Sequence, residues 1–232
     1  MNNIILGFIS IVITFSILVL IEKLFKKEGL YVWISIATII ANILVCKSIN
    51  VLGLETCLGN VLFASSFLAT DIMNEKYGSN HSKKAIIIAA ISQIIFIIMT
   101  QYALLYQPSK VDVSNESMKA LFSINLRVSI ASLIMFFISN MFDIYLYEKI
   151  RTIFPNMLWL RNNISTIISN CIENYLFTFI AFIGIFNIKV IITSASIASL
   201  FEIIIAICDT PFLYISKKLK WNLLIEISFF ML

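Results

Sequence analysis

The chain has 232 residues, 60% of them hydrophobic and only 13% charged, with a formal net charge of +4 and a mean hydropathy of +0.96. Soluble domains carry about 25% charged residues, so a water-soluble fold is excluded for want of polar surface. The apolar excess, 6 Gly and 4 Cys likewise exclude disorder, a collagen-like repeat and a disulfide scaffold, which leaves an all-α polytopic membrane protein of one domain.

Seven apolar runs of bilayer-crossing length follow in chain order. The first, Ile4–Ile21, carries no charge and is followed at once by Glu22, Lys23, Lys26, Lys27 and Glu28. It lacks the basic start and small-residue cleavage site of a signal peptide and is read as a retained helix. The others are Leu30 to about Cys46, about Cys57–Tyr77, Ala85–Tyr106, about Ala120–Tyr147, about Leu160–Phe186 and about Ile188–Ile215. They are too long for barrel strands and do not alternate, so strands are not expected. Gln107–Lys119 reads as an external loop, Phe154-Pro155-Asn156 separates the fifth and sixth spans, and Pro211 is expected to kink the seventh.

Basic residues sort by connection. Lys23, Lys26 and Lys27; Lys76, Lys83 and Lys84; Lys149, Arg151 and Arg161; and Lys217, Lys218 and Lys220 fall on one side, against Lys47, Lys110, Lys119 and Lys189 on the other. Twelve against four predicts a cytoplasmic C-terminus and, with seven spans, an external N-terminus in a multi-pass cell-membrane protein.

No metal or other cofactor is expected. The cysteines at 46, 57, 171 and 208 show no ligand spacing, and His81 is the single histidine. Two glycosylation-type triplets, at Asn115 and Asn163, are short enough to arise by chance.

Six charges do lie within the spans or at their edges: Asp71, Arg127, Asp143, Glu173, Glu202 and Asp209. Each costs roughly 2.5–3.5 kcal/mol at mid-bilayer and ordinarily faces a bundle interior or a solute path. Asn42, Asn60, Gln93, Asn140, Asn170 and Asn174 accompany them. The plainer alternative is that Asp71, Asp143 and Asp209 reach interfacial water and that the amides join helices. Interfacial escape explains Glu173 and Glu202 poorly, since they sit nearer mid-span. Asn170 and Glu173 share one helix face, Asn140 and Asp143 another, and Glu202, Ala206 and Asp209 form a third stripe. Removing the six leaves 16 basic and 8 acidic residues outside the interior, +8, while the interior holds −4 if every group ionises. An anionic solute would be repelled. Neutral hydrogen-bonding, cationic or proton-coupled solutes fit, with one or more of the acids protonated.

These same residues lie in blocks that resemble the vitamin uptake transporter family: FLATDIMNEKYG (67–78), INLRVSIASLIMFF (124–137), SNMFDIYLYEKIR (139–151), RNNISTIISNCIENYLFTFIAF (161–182) and CDTPFLYISKK (208–218). The resemblance implies a six-helix transporter core over about 30–218, preceded by an added N-terminal helix within 1–29. It implies import of 7-deazaguanine bases such as preQ0 and preQ1, which are queuosine precursors, by a secondary transporter. It places Asp71, Arg127, Asp143, Asn170, Glu173 and Asp209 at the family's polar intramembrane positions. Two departures are Glu173, where many relatives have Asp, and Glu202, where Lys often stands.

A guanine-like ring offers adjacent N1–H and 2-amino donors to one carboxylate, Glu173 or Asp71, and its O6 needs a donor such as Asn170 or Arg127. Glu202 suits an aminomethyl cation. Phe67, Tyr77, Phe136, Tyr175 and Phe179 are candidate stacking partners. The expected partners are a nucleobase-like small molecule and the lipid bilayer, not nucleic acid. Self-association and an energising subunit both stay open: no phosphate-binding loop is present, so the chain cannot hydrolyse ATP itself. An enzyme is not expected, since neither a nucleophile–histidine pair nor an intramembrane protease motif surrounds the acids.

Overall fold

The computed structural model describes residues 2–122 and 126–219. Lys220 of the basic-residue count, and the start of the block at 124–137, lie outside the described residues. Seven helices are present among the described residues.

The first helix, α1 (Asn3–Leu44), covers both of the first two expected spans. Lys26 interrupts it with φ 56° and ψ −139°, and the chain doubles back there. Asn3, at the start of the first limb, donates to the Asn50 carbonyl beyond the second at 2.8 Å. The reversal needs a glycine beside it. A Cβ on Gly29 would lie 2.7 Å from the Ile21 carbonyl oxygen and 2.8 Å from its side chain.

A hairpin follows, which corrects the expectation of no strands. β1 (Ser48–Val51) pairs antiparallel with β2 (Leu54–Cys57). Leu52 and Gly53, both at positive φ (56° and 82°), form the two-residue turn, and Asn50 Oδ1 accepts from the Gly53 amide at 3.0 Å. The expected third span therefore starts late, at α2 (Asn60–Lys76).

After Gly78 (φ 90°) the chain enters α3 (Ser79–Ala103). Part of the expected external loop is helical, as α4 (Asn115–Phe122), which buries no residue. The fifth expected span begins later than its apolar composition suggested, with α5 (Leu126–Ile153). α6 (Leu158–Phe182) and α7 (Ile188–Lys218) complete the bundle, α7 running through Pro211 without ending.

Four of these helices, α1, α3, α5 and α7, are long and apolar enough to cross a membrane. The more polar α2 is wrapped by them, touching α1, α3, α5 and α7, while α6 lies between α5 and α7 with one apolar face outward. Every residue of α2 from Ala64 to Asn74 is buried. The polarity of a soluble protein is inverted, with Ile5, Phe8, Ile95, Ile98 and Ile207 facing outward while Ser65, Thr70, Asn140 and Asn170 lie inside. Without water to satisfy them, such groups find partners only within the bundle.

Candidate transport site

The polar interior divides into three levels. At one end, helices α1, α2, α5, α6 and α7 surround an open cleft. Glu173 and Glu202 both line it, with Asn174 between their helices. Ser139 donates to Glu173 Oε2 at 2.6 Å and Asn174 Nδ2 to Glu202 Oε2 at 2.6 Å, so each carboxylate is held by one donor. Asn42 and Asn60 form part of the wall, Asn42 accepting from Ser132 at 2.8 Å. Phe63 and Phe177 supply its aromatic faces, and Phe63 is braced edge-on by Phe67 and Phe136. A second, smaller recess adjoins it, sharing Asn42, Val45 and Val128.

Deeper in the bundle lies a closed cluster of Asp71 from α2, Asp143 from α5 and Asp209 from α7, all fully buried. Asp71 faces both other acids. Thr166 donates to Asp71 Oδ2 at 3.4 Å and Asn162 to Asp209 Oδ1 at 2.7 Å. The interfacial-water alternative for these three acids does not fit, because all three side chains are fully buried in the bundle.

That third level seals the far end. Glu75 bridges two cations, Arg161 Nη2 and Lys217 Nζ, each at 2.6 Å. Tyr147 donates to Glu75 at 3.2 Å, and Arg161 donates to the Pro155 carbonyl at 2.8 Å. Beside this knot Glu22 pairs with Lys76 at 2.7 Å and accepts from Tyr77 at 2.8 Å and Ser216 at 3.2 Å. The two knots tie α1, α2, α5, α6 and α7 together.

The structure thus brings Glu173 and Glu202 into one place and Asp71, Asp143 and Asp209 into another. Asn170 is fully buried with both amide atoms unpartnered, on the α6 face between the two. Arg127 belongs to neither. It is exposed and donates to the Ile180 carbonyl at 2.9 and 2.7 Å and to that of Ile183 at 2.9 Å, satisfying carbonyls that the end of α6 leaves open. The stacking candidates also fall elsewhere: Phe67 and Phe136 are core, Tyr77 is tied to Glu22, and Tyr175 and Phe179 face outward. Reading the sequence missed Arg161 and Glu75, which look like loop charges, and Ser139. The signal available for Arg161 was its place at the head of a polar α6 face running through Asn162, Ser165 and Thr166.

An apolar exterior, a polar cleft open at one end and an ion-paired seal at the other describe a membrane transporter for a small solute. The chain belongs to the vitamin uptake transporter family: residues 57–216 match the family described as "putative vitamin uptake transporter". Over 213 residues, 91% of this chain and 93% of the relative, it is 36% identical to a protein of Bacillus subtilis (strain 168) described as a "probable queuosine precursor transporter". No solved structure matches.

Proposed function

We propose that this transporter imports 7-deazaguanine bases, the queuosine precursors, and that the cleft at Glu173 and Glu202 receives them. The observation that carries the reading is the pairing of these two carboxylates in one cleft with aromatic walls. Glu173, oriented by Ser139, accepts the N1–H and 2-amino donors. Asn174 offers its amide to O6, Phe63 or Phe177 takes the ring face, and Glu202 meets an aminomethyl cation where the base carries one. Among the described residues no lysine or arginine acts on either carboxylate, which disfavours anionic solutes.

The connections rich in lysine and arginine gather at the sealed end, around Glu22, Glu75 and Lys217. By the positive-inside bias that end is cytoplasmic, which puts the N-terminus outside and the C-terminus in the cytoplasm. The cleft then opens outward, as a transporter waiting for external substrate does. Complementation tests the reading. In cells that neither make nor import the precursors, expression of this chain with preQ0 or preQ1 in the medium restores queuosine in tRNA. Failure to restore it with either base refutes the substrate class.

A further inference from the structure

We propose that the Asp71–Asp143–Asp209 cluster is a proton-binding site, separate from the substrate cleft, through which uptake is coupled to proton entry. The proposal rests on the transport reading above but on different residues. None of the three acids lines the cleft. Seven residues separate Glu173 from Thr166 along α6 and Glu202 from Asp209 along α7, so both helices set the two levels about 10 Å apart.

The argument is a donor shortage. Asp71 Oδ1, both oxygens of Asp143, Asp209 Oδ2 and Asn162 Oδ1 are buried acceptors with no well-formed hydrogen bond among the described residues, and Asp143 has only the nearby Ser165 and Thr166 hydroxyls and Asp71 itself to turn to. Buried polar atoms are almost always satisfied, and a protonated carboxyl converts one such acceptor into a donor for its neighbour. Ionised together, the three carboxylates would also repel one another.

The Ser165 and Thr166 hydroxyls of α6 face Asp143 and Asp71 but bring no charge, and the charged groups nearby are engaged elsewhere. Arg161 of α6 is the cation facing Asp71, but Glu75, Tyr147 and the Pro155 carbonyl hold it. From α5 comes Tyr147, and from α7 the Cys208 thiol beside Asp209. On α1, Glu22 is turned to Lys76 and Ser216, and α3 offers only Ser82, bonded to the Thr70 carbonyl. The site also has an exit. When the cytoplasmic seal opens, Arg161 parts from Glu75 and becomes the counter-charge that the aspartates lack, and the proton leaves on that side.

The test uses the purified full-length chain in two arms. Infrared titration in lipid reads the carbonyl band of protonated carboxylic acids: the wild type shows it near neutral pH, and Asp71→Asn and Asp143→Asn each diminish it. In proteoliposomes, an inward gradient of one pH unit gives about tenfold accumulation of preQ1 at one proton per base. The Asn variants lose that accumulation yet retain base-for-base exchange, which needs no net proton movement. No band in the wild type, a band unchanged in both variants, or accumulation that follows a sodium gradient instead overturns the proposal. If no base enters at all, the substrate reading fails and the infrared arm still decides the proton site.

Discussion

Replacing Glu75 by Gln should open the sealed end of the bundle. Its carboxylate is the shared anion of the seal, bound by Arg161, whose side chain is 2% exposed, and by Lys217, which is 49% exposed. The Lys217 pair is half in solvent and contributes at most about 1 kcal/mol. The Arg161 pair is different, because removing one partner of a buried ion pair leaves an uncompensated charge and costs about 3–5 kcal/mol. Gln still accepts a hydrogen bond, so the lower figure applies. About 3 kcal/mol shifts the balance between sealed and open ends by roughly a hundredfold. Ser216, fully buried at that end, provides the readout. In a chain with serine at positions 46, 57, 171 and 208, a Ser216→Cys thiol resists a maleimide applied at that end. Adding Glu75→Gln should make it react far faster, and Arg161→Gln should do the same. Labelling unchanged by Glu75→Gln would show that this network does not hold the end shut.

Three further outcomes follow from the geometry. Arg127→Ala removes three hydrogen bonds from the end of α6 and should lower the melting temperature in detergent, by a loss of about 1–3 kcal/mol, while the ranking of substrates stays as it was; an altered ranking would place Arg127 in the site after all. Glu202→Lys puts a cation in the cleft and should shift uptake from preQ1 toward preQ0, measured by competition, with an unchanged ratio counting against the role given to Glu202. Phe177→Ala should weaken base binding by about 1–3 kcal/mol if the ring stacks, read as a fall in affinity for both bases alike; Phe179→Ala, which alters an outward-facing ring, should leave affinity intact.

How much of this was legible in the sequence depends on the distance over which each inference had to reach. The presence of long apolar helices and the facing of residues within one helix follow from local periodicity. Asn170 with Glu173, and Glu202 with Ala206 and Asp209, do point inward together. The assignment of each acid to a level was not legible, because it depends on how helices remote in sequence are offset when packed. Asp71 meets Asp209 across 138 positions, and no pattern within either helix encodes that. Arg127 and Arg161 exchange their expected standing for the same reason. The one that looked intramembrane ends a neighbouring helix, and the one counted as a loop charge is buried against Glu75. The hairpin at 48–57 escaped notice because four-residue strands are too short to show alternation beside runs of bilayer length.

The burial of α2 on every side has a consequence for biogenesis. This helix carries Ser65, Ser66, Thr70, Asp71 and Asn74 through its middle, and an aspartate alone opposes insertion by roughly 2.5–3.5 kcal/mol. It is a poor candidate to leave the translocon into lipid on its own. Its neighbours on either side, the apolar limbs of α1 and the apolar α3, are made just before and just after it. They can take it in as a hairpin partner, so that the helix least fit for lipid never has to face it.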